Sequence, residues 1–259
     1  MIMAENDNSL SFGRKIFFLY PPAIIQNQVI SQLAQEEFEV YTVKDENKLK
    51  RVLAKYPDSI VFVGINEGLK ENIWEEWIRG IMASPESSGV DIGIIASGAD
   101  EAIRKKYVEQ IKVRCGYTVL KADINAVISQ LINALNGVNA KGRRKYIRAL
   151  ISNEPNSNVN LPMNGTFISG VIKDVSVVGF SCSFKEDPDL TKNSLFKDIQ
   201  IRLQSQILKA EGIVFGSRME GSDKNYVILF TNRIDADVRT KIRKYIQSNL
   251  QSKMDADFK

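Results

Sequence analysis

The densest run of cationic side chains in this 259-residue chain lies just past its middle, from Lys141 to Arg148. It holds three arginines, of which Arg144 and Arg148 have the spacing Arg-x-x-x-Arg and Arg143 stands beside them. An arginine guanidinium binds phosphate or the O6/N7 edge of guanine through two parallel hydrogen bonds, and it also stacks on a base. Taken alone, such a run favours a solvated linker with weak affinity for any polyanion.

A second motif, with the spacing Asp-x-Ser-x-x-Gly, begins 26 positions after Arg148 at Asp174, Ser176 and Gly179. On its own this is turn composition, in which Asp and Ser bond the backbone and glycine adopts unusual angles. The same residue types also suit a polar ligand, because a carboxylate accepts from guanine N–H groups and a hydroxyl bonds a base or a phosphate. Arg218 is a further candidate, although an exposed arginine on a strand explains it more simply.

The composition restricts catalytic chemistry. The chain contains no histidine, which excludes Ser-His and Cys-His nucleophile pairs, histidine general bases and histidine metal ligands. Its two cysteines, Cys115 and Cys182, lie 67 positions apart without metal-binding spacing, and we expect them to be reduced thiols. The sequence has no Walker-type loop and no paired-carboxylate site. We therefore expect a non-enzyme that uses no metal and no cofactor.

Targeting signals are missing from the sequence as given. No apolar run approaches the ~20 residues that cross a bilayer, and residues 1–11 are polar and acidic rather than basic and then apolar. We expect a cytoplasmic protein without a membrane span.

The charge distribution divides the chain in two. Residues 1–140 hold 15 basic and 18 acidic side chains, whereas residues 141–259 hold 20 and 13. The change falls in a stretch of turn formers and small residues, 136–142, where the secondary-structure pattern changes as well. We predict a flexible N-terminus at 1–13, one domain at 14–138 and a second at 139–259.

The first domain has an alternating pattern. Short apolar runs separated by amphipathic helical segments occur at 16–20, 40–43, 60–63, 92–95 and 118–120. Such alternation predicts an α/β fold of five β/α repeats, with a parallel sheet covered on both faces.

The second domain has strand-sized segments without helices between them, at 146–152, 166–172, 179–184, 197–204, 213–217 and 226–230. Repeated short strands separated by turn signals predict a six-stranded antiparallel barrel. The chain then ends in a helix with one apolar face, made of Val238, Ile242, Ile246 and Leu250.

The five repeats resemble the receiver domain of bacterial two-component signalling. Ser97 and Lys121 match the residues that this family has after strands four and five. The acidic positions do not match, because Tyr20-Pro21-Pro22 follows strand one and Gly64-Ile65-Asn66 follows strand three. Aspartyl phosphorylation needs those carboxylates for the nucleophile and for Mg²⁺. The resemblance implies a flavodoxin-like interaction domain without a phosphoacceptor, which binds a protein partner.

The two motifs, in this order on successive barrel strands, resemble the PilZ domain, the bacterial receptor for cyclic di-GMP. The resemblance covers about residues 141–250, including the strand count and the closing helix. It implies that Arg144 and Arg148 contact guanine and phosphate. The remaining site residues that it implies are Asp174, Ser176 and Gly179 on the barrel surface, with Arg143 as an auxiliary contact.

We therefore expect a cyclic di-GMP receptor in which ligand binding changes the arrangement of the two domains or the binding of a partner. The alternative is a protein-interaction adaptor whose barrel no longer binds nucleotide. Binding to nucleic acid is disfavoured, because the basic half has neither a recognition-helix pattern nor an aromatic RNA-binding motif.

Overall fold

The computed structural model describes residues 13–121, 123–151, 154, 156–221 and 223–258. The predicted flexible N-terminus lies outside the described residues except for Gly13. The chain forms two compact units: the first ends at Lys145 and also includes the residues from Gln251 onward, and the second runs from Tyr146 to Leu250.

The first unit contains a parallel five-stranded sheet in the order β2-β1-β3-β4-β5. Its strands are β1 (Ile16–Leu19), β2 (Val40–Val43), β3 (Ile60–Gly64), β4 (Asp91–Ala96) and β5 (Tyr117–Val119). This is the strand order of flavodoxin-like folds. All residues of β1, β3 and β4 are buried, because helices cover both faces of the sheet. The predicted α/β class is confirmed.

Three of the helices described in this unit begin after an aspartate that caps them. Asp45, Asp100 and Asp123 each accept hydrogen bonds from backbone N–H groups of the first turn that follows them, which satisfies donors that have no partner inside the helix. The helices are α1 (Ile30–Gln35, preceded by a π-helical segment Ile25–Val29), α2 (Glu46–Lys55), α3 (Glu71–Ala83), α4 (Glu101–Lys105, continued by a π-helical segment Lys106–Ile111) and α5 (Ile124–Gly137).

The second unit is a closed antiparallel barrel. Its strands are β6 (Ala149–Leu150), β7 (Asn158–Met163), β8 (Thr166–Ser176), β9 (Gly179–Phe184), β10 (Leu195–Leu203), β11 (Gln206–Glu220) and β12 (Asp223–Phe230). Six of them form a ring in the order β8-β7-β10-β11-β12-β9, which closes because β9 pairs with β8. The short strand β6 adds to β8 outside the ring. The predicted six-stranded barrel is confirmed.

The membership of the ring differs from the sequence prediction. The strand predicted at 146–152 is reduced to β6, and β7 was not predicted. Asn158, Asn160 and Pro162 obscure β7, because asparagine and proline are disfavoured in strands. Pro162 is tolerated since it lies beyond Asn160, the last residue of β7 paired with β10, so one edge of the strand is unpaired there.

The barrel interior is packed with aliphatic and aromatic side chains, among them Val159, Ile172, Phe180, Ile201 and Tyr226. The C-terminal helix α6 (Ala236–Asp257) adds Ile242 and Ile246 to this core, with Val238 and Leu250 packed against it. The predicted apolar face of the helix is therefore confirmed. Burial of this stripe explains why a helix of polar average composition forms on the barrel.

Candidate functional site

The two sequence motifs meet on the outside of the barrel. Arg148 directly precedes β6, Asp174 and Ser176 lie at the end of β8, and Gly179 is the first residue of β9. Pairing of β6 with β8 places Leu150 opposite Asp174, which carries the preceding arginine to the same end of β8. Residues 26 positions apart in sequence thus become neighbours.

The centre of the site is the carboxylate of Asp174. Its Oδ1 accepts from Nη1 of Arg148 at 3.2 Å, and its Oδ2 accepts from the hydroxyl of Ser181 on β9. The side chain of Asp174 is 12% exposed and that of Arg148 44%. An ionised carboxylate offers about four lone-pair positions, so Asp174 retains acceptor capacity for a ligand.

Ser176 and Gly179 build the hairpin that holds Asp174. The Ser176 hydroxyl donates to the Gly179 carbonyl at 3.1 Å and accepts from the Val178 amide at 3.4 Å. A Cβ on Gly179 would run into the Ile228 carbonyl oxygen of β12. Close strand approach, rather than a left-handed φ, therefore requires glycine here. A direct contact of either residue with ligand stays a prediction.

A pocket of about 240 Å³ lies beside Asp174 on the outer surface of the second unit. Strand pairing brings its walls together from β6, β8, β9, β11 and β12. Its lining residues are Leu150, Lys173, Asp174, Ser181, Arg218, Glu220, Asp223 and Asn225. The pocket is smaller than the roughly 300–1,000 Å³ that encloses a drug-sized ligand, so it can take only part of a dinucleotide.

Arg218, the further candidate from the sequence, lies in this pocket wall. Its side chain is 68% exposed and its Nη2 lies 3.9 Å from Oε2 of Glu220. Arg143 and Arg144 are also exposed, in a segment without helix or strand, and Arg144 is grouped with the first unit.

Six of the eight lining residues were missed by sequence reasoning, among them Ser181, Glu220 and Asn225. One signal was available, because in β9 Phe180 and Cys182 alternate with Ser181 and Ser183. That alternation puts the serines on the outward face, where Asp174 lies opposite Ser181 in the ladder. Nothing in the local sequence indicates that β11 and β12 complete the same surface.

In the first unit, aromatic and amide side chains occupy the end of the sheet where receiver domains carry acidic groups. Tyr20 has φ 47°, and its ring meets Trp74 edge to face with centroids 5.6 Å apart. Asn66 Oδ1 accepts from the Ser97 amide at 2.8 Å. Ser97 is therefore held by an amide at this end of the sheet. Lys121 is exposed.

Metal binding and membrane insertion were also considered for the described residues. Within the described part of the chain, no group of three or more Cys, Asp or Glu side chains is placed to hold a metal ion. Of the helices formed there, none combines the length and the apolar character that a membrane span requires.

The fold and the site define a two-unit protein: a flavodoxin-like α/β unit, and a six-stranded barrel with a charged outer pocket. No family model and no curated protein matches the chain. Similar solved structures include the PilZ domain of YcgR from Escherichia coli with c-di-GMP, at 14% identity and TM-score 0.38, covering 44% of this chain and 97% of that one.

Two further proteins are similar over part of their length. One is MrkH of K. pneumonia in complex with c-di-GMP, at 17% identity and TM-score 0.38, covering 46% of this chain and 56% of that one. The other is the inhibitor of motility MotI/DgrA of Bacillus subtilis, at 14% identity and TM-score 0.34, covering 40% of this chain and 49% of that one. The match thus spans about half the length of these two proteins.

Proposed function

We propose that this protein is a non-catalytic cytoplasmic receptor for cyclic di-GMP. The observation that carries the proposal is the 3.2 Å hydrogen bond between Arg148 and Asp174. It joins the Arg-x-x-x-Arg motif to the Asp-x-Ser-x-x-Gly motif on the surface of a six-stranded barrel, in the combination that resembles the PilZ domain.

The chemistry of this pair suits guanine. Guanine has acceptors at O6 and N7 and donors at N1–H and the exocyclic amine. Arg148 offers five donors, of which one is used by Asp174. Asp174 retains acceptor positions after bonding Arg148 and Ser181. A bidentate contact of this kind is worth about 1–3 kcal/mol of base discrimination.

The phosphates require further cations. Arg143 and Arg144 lie a few residues before Arg148, and both are exposed in irregular chain. We propose that they bind the ligand's phosphates and become ordered on binding, which changes the arrangement of the two domains. This requires that the ligand bind one arrangement more tightly than the other. Small-angle scattering of the full chain with and without saturating ligand tests this step, and identical profiles would contradict it.

Calorimetric titration of the full chain with cyclic di-GMP tests the binding itself. We expect micromolar or tighter affinity, abolished in Arg144→Ala and Arg148→Ala. Arg202→Ala is the matched control, because Arg202 is an exposed arginine of the same barrel and does not line the pocket. Absence of binding by the unsubstituted protein would refute the proposal.

A second candidate function, a protein-interaction adaptor, is favoured by apolar side chains on the outer surface of the barrel. Leu195 and Ile213 are directly paired across β10 and β11, 50% and 37% exposed, and Phe215 is 60% exposed. Exposed apolar clusters on soluble proteins often mark interaction sites. The same titration separates the two functions, since an adaptor would not bind the nucleotide. The flavodoxin-like unit is also a proposed site for a protein partner, to be tested by pull-down with and without nucleotide.

A further inference from the structure

We propose that Glu220, held in place by Asn225, reads the amino edge of a guanine base that enters the pocket. This makes Glu220 a base-specificity determinant outside both sequence motifs. The inference rests on the proposed cyclic di-GMP binding and deepens it.

The position of Glu220 is fixed by the hairpin of β11 and β12. Glu220 is the last residue of β11 and pairs with Asp223, while Arg218 pairs with Asn225 two positions away. The Asn225 side-chain amide donates to Oε2 of Glu220. Because Oε2 is bonded in this way, the carboxylate is oriented, and its Oε1 has no hydrogen bond among the described residues.

Asn225 provides an independent sign of a polar ligand. The residue lines the pocket and is only 2% exposed, yet within the described parts of the chain its Oδ1 has no hydrogen-bond partner. Buried polar atoms are nearly always paired in native proteins. This unpaired acceptor belongs to a pocket-lining residue that also orients Glu220, and a ligand donor entering the pocket beside Asn225 would complete its hydrogen bond.

The pattern of charges around Glu220 is complementary to guanine. Guanine presents acceptors, O6 and N7, next to donors, N1–H and the exocyclic N2 amine. Arg218 Nη2 lies 3.9 Å from Oε2 of Glu220, so a fork of donors and a carboxylate stand side by side. Adenine lacks the N2 amine, so the carboxylate would bind adenine less tightly than guanine.

The size of the pocket agrees with a single base. Its volume of about 240 Å³ is too small for the whole cyclic dinucleotide. Asp174 and Ser181 form one wall, on β8 and β9, and Glu220 and Asn225 form another, on β11 and β12. A guanine between these walls meets acceptors from both, whereas the two sequence motifs supply only the first.

The test compares cyclic di-GMP with cyclic di-IMP, which lacks only the 2-amino groups. We expect the unsubstituted full chain to bind cyclic di-GMP more tightly by about tenfold or more, as for loss of a hydrogen bond to a charged group. Glu220→Ala should weaken the binding of cyclic di-GMP about tenfold and leave the binding of cyclic di-IMP nearly unchanged. Glu220→Gln should retain part of the preference for cyclic di-GMP over cyclic di-IMP. Arg148→Ala should abolish the binding of both ligands.

Glu186→Gln is the control for Glu220→Gln, because it makes the same charge change at an exposed position outside the pocket. The Glu220 side chain is 65% exposed, so its variants should fold, which circular dichroism checks. If the protein binds cyclic di-GMP but Glu220→Ala keeps the full preference over cyclic di-IMP, the inference is overturned and the proposed function stands. If the unsubstituted protein binds neither ligand, both are overturned.

Discussion

Arg148 donates a hydrogen bond to Asp174 across 3.2 Å, although Arg148 directly precedes β6 and Asp174 lies near the end of β8. The backbone explains the contact, since β6 adds to β8 and carries Arg148 to the end where Asp174 emerges. The pair is partly exposed, with 44% of the arginine side chain accessible. It therefore presents both a donor fork and an acceptor to solvent.

The first prediction separates binding from stability at this pair. Lysine can still donate to Asp174, but it lacks the planar fork that bonds phosphate or guanine bidentately. We expect Arg148→Lys to weaken cyclic di-GMP binding by about tenfold or more, from the loss of a ~1–3 kcal/mol contact. Its unfolding free energy should change by less than ~1 kcal/mol, as for exposed ion pairs. Calorimetry and urea unfolding measure the two effects, and equal losses in both would contradict this account.

The second prediction concerns Gly179. A Cβ there collides with the Ile228 carbonyl and comes within 3.0 Å of the Leu229 Cα, so β9 and β12 would have to move apart. We expect Gly179→Ala to lower the unfolding free energy of the barrel by about 1–3 kcal/mol, the usual cost of overpacking. The control is Gly216→Ala in β11, where a Cβ meets nothing within 4 Å. Similar urea midpoints for the two variants would argue against the collision.

The fold was predictable for strands whose own residues show the pattern of burial. In β3, Ile60 to Val63 form a continuous apolar run that is buried on both faces, and a sequence alone reveals such a strand. In β7, alternation is masked by Asn160 and Pro162, and only pairing with β8 along its length identifies the strand. Tertiary context decides there, because β-propensity reflects the neighbours of a strand more than its own residues.

The site was predictable only in part, for a related reason. Arg148 and Asp174 each belong to a motif with fixed spacing, so the sequence alone identifies them as candidate site residues. Glu220 and Asn225 form no motif, and they reach the pocket because β12 lies between β9 and β11 in the ring. A register shift between Ile172 and Asp174 further sets which β9 residue faces Asp174. Strand neighbours and bulges are properties of the folded barrel, so the spacing of residues does not reveal them.

The third prediction is a pH dependence of barrel stability. The Tyr226 hydroxyl, then Lys224 and the Asp189 amide, bond the carboxylate of Asp187 and lower its pKa from 3.8 to about 2. A lowered pKa means that the folded state favours the ionised form. The stabilisation is present above about pH 4 and disappears as the pH falls through about 2. Urea midpoints of Asp187→Asn should lie below those of the unsubstituted protein at pH 5 and converge with them near pH 2. A difference that persists at pH 2 would contradict the prediction.

The fourth prediction concerns an ion pair in the first unit. Arg14 Nη1 bonds Oδ2 of Asp91 at 2.6 Å and the Val138 carbonyl at 2.8 Å, and the Asp91 side chain is 2% exposed. Arg114 bonds the other carboxylate oxygen at 2.7 Å. Removing one partner of a buried pair costs about 3–5 kcal/mol, and we expect Arg14→Met to reach the lower end because Arg114 remains.

Tryptophan fluorescence reports this loss selectively, because both tryptophans, Trp74 and Trp77, lie in the first unit. The control is Arg79→Met, which breaks a half-exposed pair with Glu75 and should cost less than ~1 kcal/mol. If Arg14→Met lowers the unfolding free energy by no more than Arg79→Met does, Arg14 does not stabilise this unit.

The fifth prediction concerns the two thiols. Burial raises the pKa of Cys182 to about 12, and burial together with the nearby Asp91 carboxylate raises the pKa of Cys115 to about 12. The thiolate is the reactive form, so both cysteines should be inert in the folded protein at pH 8. An Ellman titration should find no fast-reacting thiol in the native chain and two after unfolding in urea.

The labelling rate of each cysteine should follow the opening of its own unit. Arg14→Met should therefore speed the labelling of Cys115, and Gly179→Ala should speed that of Cys182. Rapid labelling of either cysteine in the native, unsubstituted protein would contradict its burial.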